Sequence, residues 1–173
     1  MADTPAYDAP VTAESLEQIG LFGALDRDML TFLAASLHTV DMGPGDLVFR
    51  EGDTSSEMYV VLRGEFEVLK RSKRGVDARV AMLGTGDWFG EMSILDVQPR
   101  SASVRSLAAS RLLIVTRVDL ETLYRRDVKA YSLLVLNVAR ELSRRLRVAD
   151  GILADLVASL MDDVMSGRHG SAT

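Results

Sequence analysis

Eight of the chain's 13 glycines fall between Gly43 and Gly90, at positions 43, 45, 52, 64, 75, 84, 86 and 90. Between them run short segments rich in Val, Leu, Phe and Tyr, each too short to be a helix. Turn signals recurring every ten residues or so, with short apolar runs between them, fit an antiparallel β-roll of jelly-roll type. Seven strands are predicted: Thr39–Met42, Leu47–Arg50, Met58–Leu62, Glu65–Arg71, Arg79–Leu83, Ala102–Ala108 and Arg111–Thr116. Within the fourth, Phe66 and Val68 alternate with polar neighbours, the period-two pattern of a half-buried strand. Ser72–Asp77 is charged around Gly75 and suits an exposed hairpin loop.

The flanks of this region follow a helical period instead. Thr12 is placed to cap a first helix that ends near Gly20 or Gly23. Asp26 opens a second, in which Leu30, Leu33, Ala34 and Leu37 share one face. From Val118 the helical period returns and persists to Met165, with an interruption near Arg126–Asp127. Its second part carries a seam of Ala139, Leu142, Leu146, Ala149, Leu153, Leu156 and Leu160, whose alternating gaps of three and four are the coiled-coil rhythm. That seam predicts a homodimer through parallel C-terminal helices, although Gly151 costs about 1 kcal/mol inside a helix. The class is therefore α+β: a β-roll flanked by N-terminal helices and one long C-terminal helix.

Composition excludes several chemistries. With 173 residues, 47% of them hydrophobic, the chain can bury one core. It has no cysteine, so disulfides, thiolate catalysis and cysteine-bound metals are excluded. Its two histidines, His38 and His169, are too few for a histidine metal cluster. The net charge of −5 speaks against a nucleic-acid-binding face over the whole molecule. The basic cluster Arg140, Arg144, Arg145 and Arg147 is the one place where DNA binding can be argued, and a solvated helix face accounts for most of it. No run approaches a membrane span, and polar Met1–Thr12 is no signal peptide, so a cytoplasmic location is expected. Gly84-Thr85-Gly86 lacks the Gly-Lys-Ser/Thr of a P-loop. Asp87 and Glu91 are an acid pair with no nucleophile, base and orienting group to complete them, so no enzyme is expected.

Phe89 to Ser103 carries the functional signal: Phe-Gly-Glu-Met-Ser-Ile-Leu-Asp-Val-Gln-Pro-Arg-Ser-Ala-Ser. Gly90 lets backbone approach a ligand closely. Glu91, once ionised, only accepts hydrogen bonds and suits a sugar hydroxyl. Met92–Leu95 is long enough for one helical turn, with Met92 and Ser93 at the end where amide N–H groups face an anion. Arg100 offers a planar fork for two phosphate oxygens, and Ser101 a hydroxyl beside it. Together these groups suit a small ligand bearing both a sugar hydroxyl and a phosphate.

The stretch resembles the phosphate-binding cassette of the cyclic-nucleotide-binding domain family. The resemblance extends over about Leu21–Leu160, and in layout it is nearest the sensor half of the family's catabolite-activator branch. It implies that Glu91 takes the ribose 2′-hydroxyl and Arg100 the cyclic phosphate. It further implies a ligand surround of Phe89, Gly90, Met92, Ser93, Ser101, Ala102 and Val80. Arg145 sits where the family's dimer helix supplies an arginine near the phosphate. Ala149 and Asp150 occupy the positions of that branch's adenine-reading hydroxyls, which are absent here. Asp150 can accept from guanine or from the amine of adenine, and Ser101 can contact a syn guanine. Cyclic AMP is expected first, with cyclic GMP close behind, and no cofactor besides.

The expected organisation is a flexible leader over 1–12, the ligand-binding β-roll with flanking helices over 13–126, a dimerisation helix over 127–165 and a flexible tail over 166–173. Met161–Thr173 cannot form a helix-turn-helix, so no direct DNA binding is expected. The functional expectation is a stand-alone cyclic-nucleotide sensor that signals to a protein effector by helix rearrangement. The alternatives are a transcription regulator's sensor half without its DNA-binding domain, and a ligand-free adaptor between proteins.

Overall fold

The computed structural model describes residues 10–167, so most of the expected leader and tail lies outside the described residues. Two compact units result, Met1–Val135 and Leu136–Thr173.

The first unit opens with α1 (Ala13–Glu17), where the Thr12 side chain accepts from the Ser15 amide and the Ser15 hydroxyl oxygen accepts in turn from the Thr12 amide. A 3-10 turn at Gly20–Phe22 follows, then α2 (Arg27–Ser36), capped by Asp26 through a 2.8 Å bond from the Met29 amide. Eight strands come next: β1 (His38–Met42), β2 (Leu47–Phe49), β3 (Glu57–Arg63), β4 (Phe66–Arg71), β5 (Asp77–Leu83), β6 (Trp88–Phe89), β7 (Ser103–Ser106) and β8 (Ser110–Thr116). They pair antiparallel in two four-stranded sheets, ordered β1-β8-β3-β6 and β2-β7-β4-β5. The expected antiparallel roll is therefore present. Seven strands match the sequence reading to within two residues at either end. β6 is an eighth, hidden from a pattern search because two residues show no period.

Both faces of β3 are buried, which explains its unbroken Met58-Tyr59-Val60-Val61 run. Tyr59 and Val61 point into the roll with Phe66, Leu83, Phe89, Val104 and Leu112. Met58 and Val60 alternate onto the opposite face, beside Leu113, Val115 and Trp88 in register. A Cβ on Gly20 would lie 3.6 Å from the Trp88 ring, so the N-terminal helical segment covers that face.

Between β6 and β7 the chain forms α3 (Met92–Leu95), and after β8 it forms α4 (Arg117–Arg126), boxed by Thr116 and Asp119. The interruption expected near Arg126–Asp127 is real: Asp127 leaves the helical region at φ −152°, ψ 99° and its carboxylate accepts from the Ala130 amide, ending α4 and starting α5. α5 runs Val128–Gly167, and from Leu136 onward it constitutes the second unit. There Glu141 accepts from Arg144 at 2.6 and 2.8 Å and from Arg145 at 2.8 Å, which holds its carboxyl below the usual range. Leu146, Leu153, Leu156 and Leu160 of the seam are all more than half exposed.

A cassette built around a buried arginine

Phe89 anchors the start of the candidate site. Its ring stacks on Tyr59 at 5.4 Å and leans on Phe49 and Phe66 at 5.9 and 5.8 Å, so an aromatic floor lies beneath the next residues. Gly90 then turns at φ +83°, where a side chain would be strained. A Cβ there would also lie 2.5 Å from Arg100 Nη1 and 3.2 Å from the Glu57 carbonyl. The Glu91 carbonyl accepts from Ile94 and Leu95 at 3.1 Å to close α3, and its side chain is buried. Ser93 is buried, whereas Met92 is exposed, with its sulfur 3.8 Å from the Ser101 hydroxyl. Ala102 is half-buried.

Arg100 is the organising side chain, only 3% exposed. Nη1 donates to the Gly90 carbonyl at 2.9 Å, and Nη2 donates to the Glu57 carbonyl at 2.7 Å and Ser55 Oγ at 2.8 Å. The guanidinium carbon lies 4.0 Å from the Phe49 ring centroid and 5.7 Å from that of Tyr59. Nε is buried without a hydrogen-bond partner. Desolvation pulls the Arg100 pKa down, and the nearby Tyr59, Glu57, Asp53 and Glu91 oppose that pull. An arginine stays charged across the physiological range regardless. A buried cation with an unused donor has the electrostatics of an anion site.

Main-chain bonds fix this side chain's root. The Gly52 amide donates to the Arg100 carbonyl at 2.9 Å, and the Arg100 amide donates to the Asp53 carbonyl at 2.8 Å. Glu51 ties the same loop to β4 through Lys70 Nζ at 2.7 Å and the Arg71 amide at 2.9 Å. Those bonds hold the Glu51 carboxyl below its ordinary pKa, the Arg71 amide acting most strongly. The Glu51 amide in turn donates to the Ser103 hydroxyl at 2.8 Å.

Eight of the sequence-predicted residues, Phe89 to Ser93 and Arg100 to Ala102, thus lie along one loop of the first unit. Val80 lies on β5, more than half exposed, at a bulge: Val68 pairs with Ala81 and Leu69 with Arg79, leaving Val80 as the extra residue. Arg145, Ala149 and Asp150 belong to the second unit, the last two exposed. Sequence reasoning missed Ser55, the Glu57 carbonyl and Phe49, which hold Arg100 in place. Their one visible signal is the polar Gly52–Ser56 link between two strands.

The family model for the cyclic nucleotide-binding domain matches residues 39–127, from β1 through the cassette to the end of α4. The chain belongs to that family. It is 31% identical over 144 residues to a CRP-like cAMP-activated global transcriptional regulator of Mycobacterium tuberculosis, covering 83% of this chain and 62% of the regulator. Among solved structures, a cyclic nucleotide-binding domain from Methylobacillus flagellatus superposes with a TM-score of 0.74 at 26% identity, covering 83% of this chain and 81% of that one. The Thermus thermophilus catabolite activator protein superposes with a TM-score of 0.70 at 32% identity, covering 80% of this chain and 63% of that one. The chain therefore spans under two thirds of the length of the curated regulator it matches. Among the described residues no helix is long and apolar enough to cross a membrane, and no group of His, Asp or Glu is placed to hold a metal.

Proposed function

We propose that the chain is a cyclic-nucleotide sensor that takes cyclic AMP, with cyclic GMP as second ligand, at the cassette. It binds and signals, and it does not catalyse. The observation that carries the reading is Arg100: a buried guanidinium, held by two carbonyls and a hydroxyl, keeps Nε–H unused in a member of this family. In this reading Arg100 takes the cyclic phosphate and Glu91 the ribose 2′-hydroxyl. Phe89, Gly90, Met92, Ser93, Ser101, Ala102 and Val80 surround the ligand. Arg145, Ala149 and Asp150 of α5 are the residues that the family resemblance offers as phosphate-side cation and base readers. Ligand binding repositions the helices after Thr116, and a protein partner reads the change.

Calorimetric titration tests this directly. The wild type is expected to bind about one cyclic AMP per chain, and Arg100→Ala to lose about 2–5 kcal/mol of binding, the scale for removing one partner of a desolvated charge pair. An Arg100→Ala protein that titrates like the wild type would remove the phosphate assignment. The same titrations with cyclic GMP address the base. If Asp150 reads guanine, Asp150→Ala loses about 1–3 kcal/mol for cyclic GMP and much less for cyclic AMP. An unchanged ratio of the two dissociation constants takes Asp150 out of base selection.

A second reading has its own support: the mycobacterial relative is a transcriptional regulator, and this chain covers 62% of it. A sensor half of such a regulator would use the same ligand site and pass its signal to DNA. Titration against duplex DNA across a salt series separates the two, because phosphate contacts impose a steep salt dependence.

A further inference from the structure

Arg100 carries five N–H donors, and three of them are taken: one on Nη1 by the Gly90 carbonyl and two on Nη2 by Ser55 Oγ and the Glu57 carbonyl. The carbonyls belong to rigid neighbours, the φ +83° turn at Gly90 and strand β3. Ser55 differs from both, because a hydroxyl that accepts a bond still has a proton to give. Among the described residues that proton has no acceptor, and Ser55 is only partly buried. Nε, buried and without a hydrogen-bond partner, lies on the same edge of the guanidinium as Nη2. An oxyanion that reaches Nε–H therefore approaches the side of the guanidinium where Nη2 and its two partners, the Ser55 hydroxyl and the Glu57 carbonyl, lie.

We infer that Ser55 is a further ligand-contacting residue: it holds Nη2 of Arg100 through its oxygen and donates its own proton to a phosphate oxygen of the bound cyclic nucleotide. The inference rests on the functional reading above, and it adds a residue from outside the cassette. The clamp between Gly52 and the Arg100 carbonyl, and between the Arg100 amide and Asp53, makes it geometrically workable. It ties the Gly52–Ser56 loop to the backbone of Arg100, so the hydroxyl and the guanidinium keep their spacing as the ligand enters. Hydroxyl donation to an ionised oxygen is a charge-assisted bond, stronger than a neutral one.

The test compares wild type, Ser55→Ala and Ser55→Thr by calorimetry with cyclic AMP, and by the 31P resonance of cyclic AMP at saturation. Ser55→Ala is expected to bind about 5- to 30-fold more weakly and to shift the bound 31P resonance, with Ser55→Thr restoring both. Urea denaturation of the same proteins shows whether the fold is retained. A Ser55→Ala protein with wild-type affinity, or with weaker affinity and an unmoved 31P resonance, overturns the phosphate contact. Failure of the wild type to bind any cyclic nucleotide brings down the functional reading instead, a result distinct from either.

Discussion

Gly64 shows how one residue can be fixed by its neighbours on both counts that matter. Its φ of +100° is closed to side chains, and an added Cβ would sit 2.0 Å from Ser110 Oγ and 2.8 Å from Ser110 Cα. The hydroxyl could rotate away, but the backbone of β8 cannot. Gly64→Ala is therefore expected to destabilise the fold by about 2–4 kcal/mol, the combined scale of backbone strain and overpacking. Urea denaturation would read it, and Ser110→Gly in the same chain should return only part of the loss, since the clash with the main chain of β8 persists. An alanine variant with the wild-type midpoint would show that the turn relaxes freely. At this scale the sequence was informative about residue types and silent about their settings. Glycine at 64 and 90 and arginine at 100 stood out in the chain, but Arg100 meets Ser55, 45 residues away, and no local pattern announces that pairing.

The elements were legible where periodicity extends far enough to be measured. α2 and α4 carry a 3.6-residue pattern and side-chain caps, β3 and β4 an apolar run and an alternation, and all four fold as those signals predict. β6, two residues long, is set by the roll around it and left no period to read, whereas α3 is the single helical turn expected over Met92–Leu95. One element end works against its residue. Val97 follows the C-cap of α3 at φ +59°, a left-handed position suited to Gly or Asn and costly for a β-branched side chain. It is 67% exposed, so no packing compensates. Relief of that strain predicts that Val97→Asn stabilises the protein by about 0.5–1 kcal/mol, read as a higher urea midpoint at an unchanged slope. An equal or lower midpoint would mean that the loop between Glu91 and Arg100 holds the left-handed turn without strain. The turn lies inside the candidate ligand loop, where backbone strain is often retained for function. For that reason the variant's affinity for cyclic AMP is worth measuring beside its stability.

For the molecule as a whole, the open question is what covers the outer part of α5. Leu146, Leu153, Leu156 and Leu160 are exposed by 63%, 59%, 55% and 56%, and they recur in the three-four rhythm read from the sequence. Four leucines on one side of a helix lose about 1.5–3 kcal/mol each by staying in water instead of being buried. A second copy of the same seam is the simplest occupant, because a heptad stripe packs best against its like, knob into hole. Gly151 interrupts the stripe with nothing within 4 Å of where its Cβ would be, so it weakens the helix without blocking a partner. Asp150 and Arg147 neighbour the seam and give its rim charge of both signs. The expected outcome is a homodimer, with light scattering giving about twice the 18.9 kDa chain mass at micromolar concentration. Leu146→Lys combined with Leu153→Lys should return the monomer mass, since two buried charges per helix would face their copies across the seam. Both substitutions lie in the second unit, so the roll should keep its urea midpoint apart from any concentration dependence lost with the dimer. A wild type that stays at monomer mass up to high concentration would exclude the second copy as the occupant of the seam.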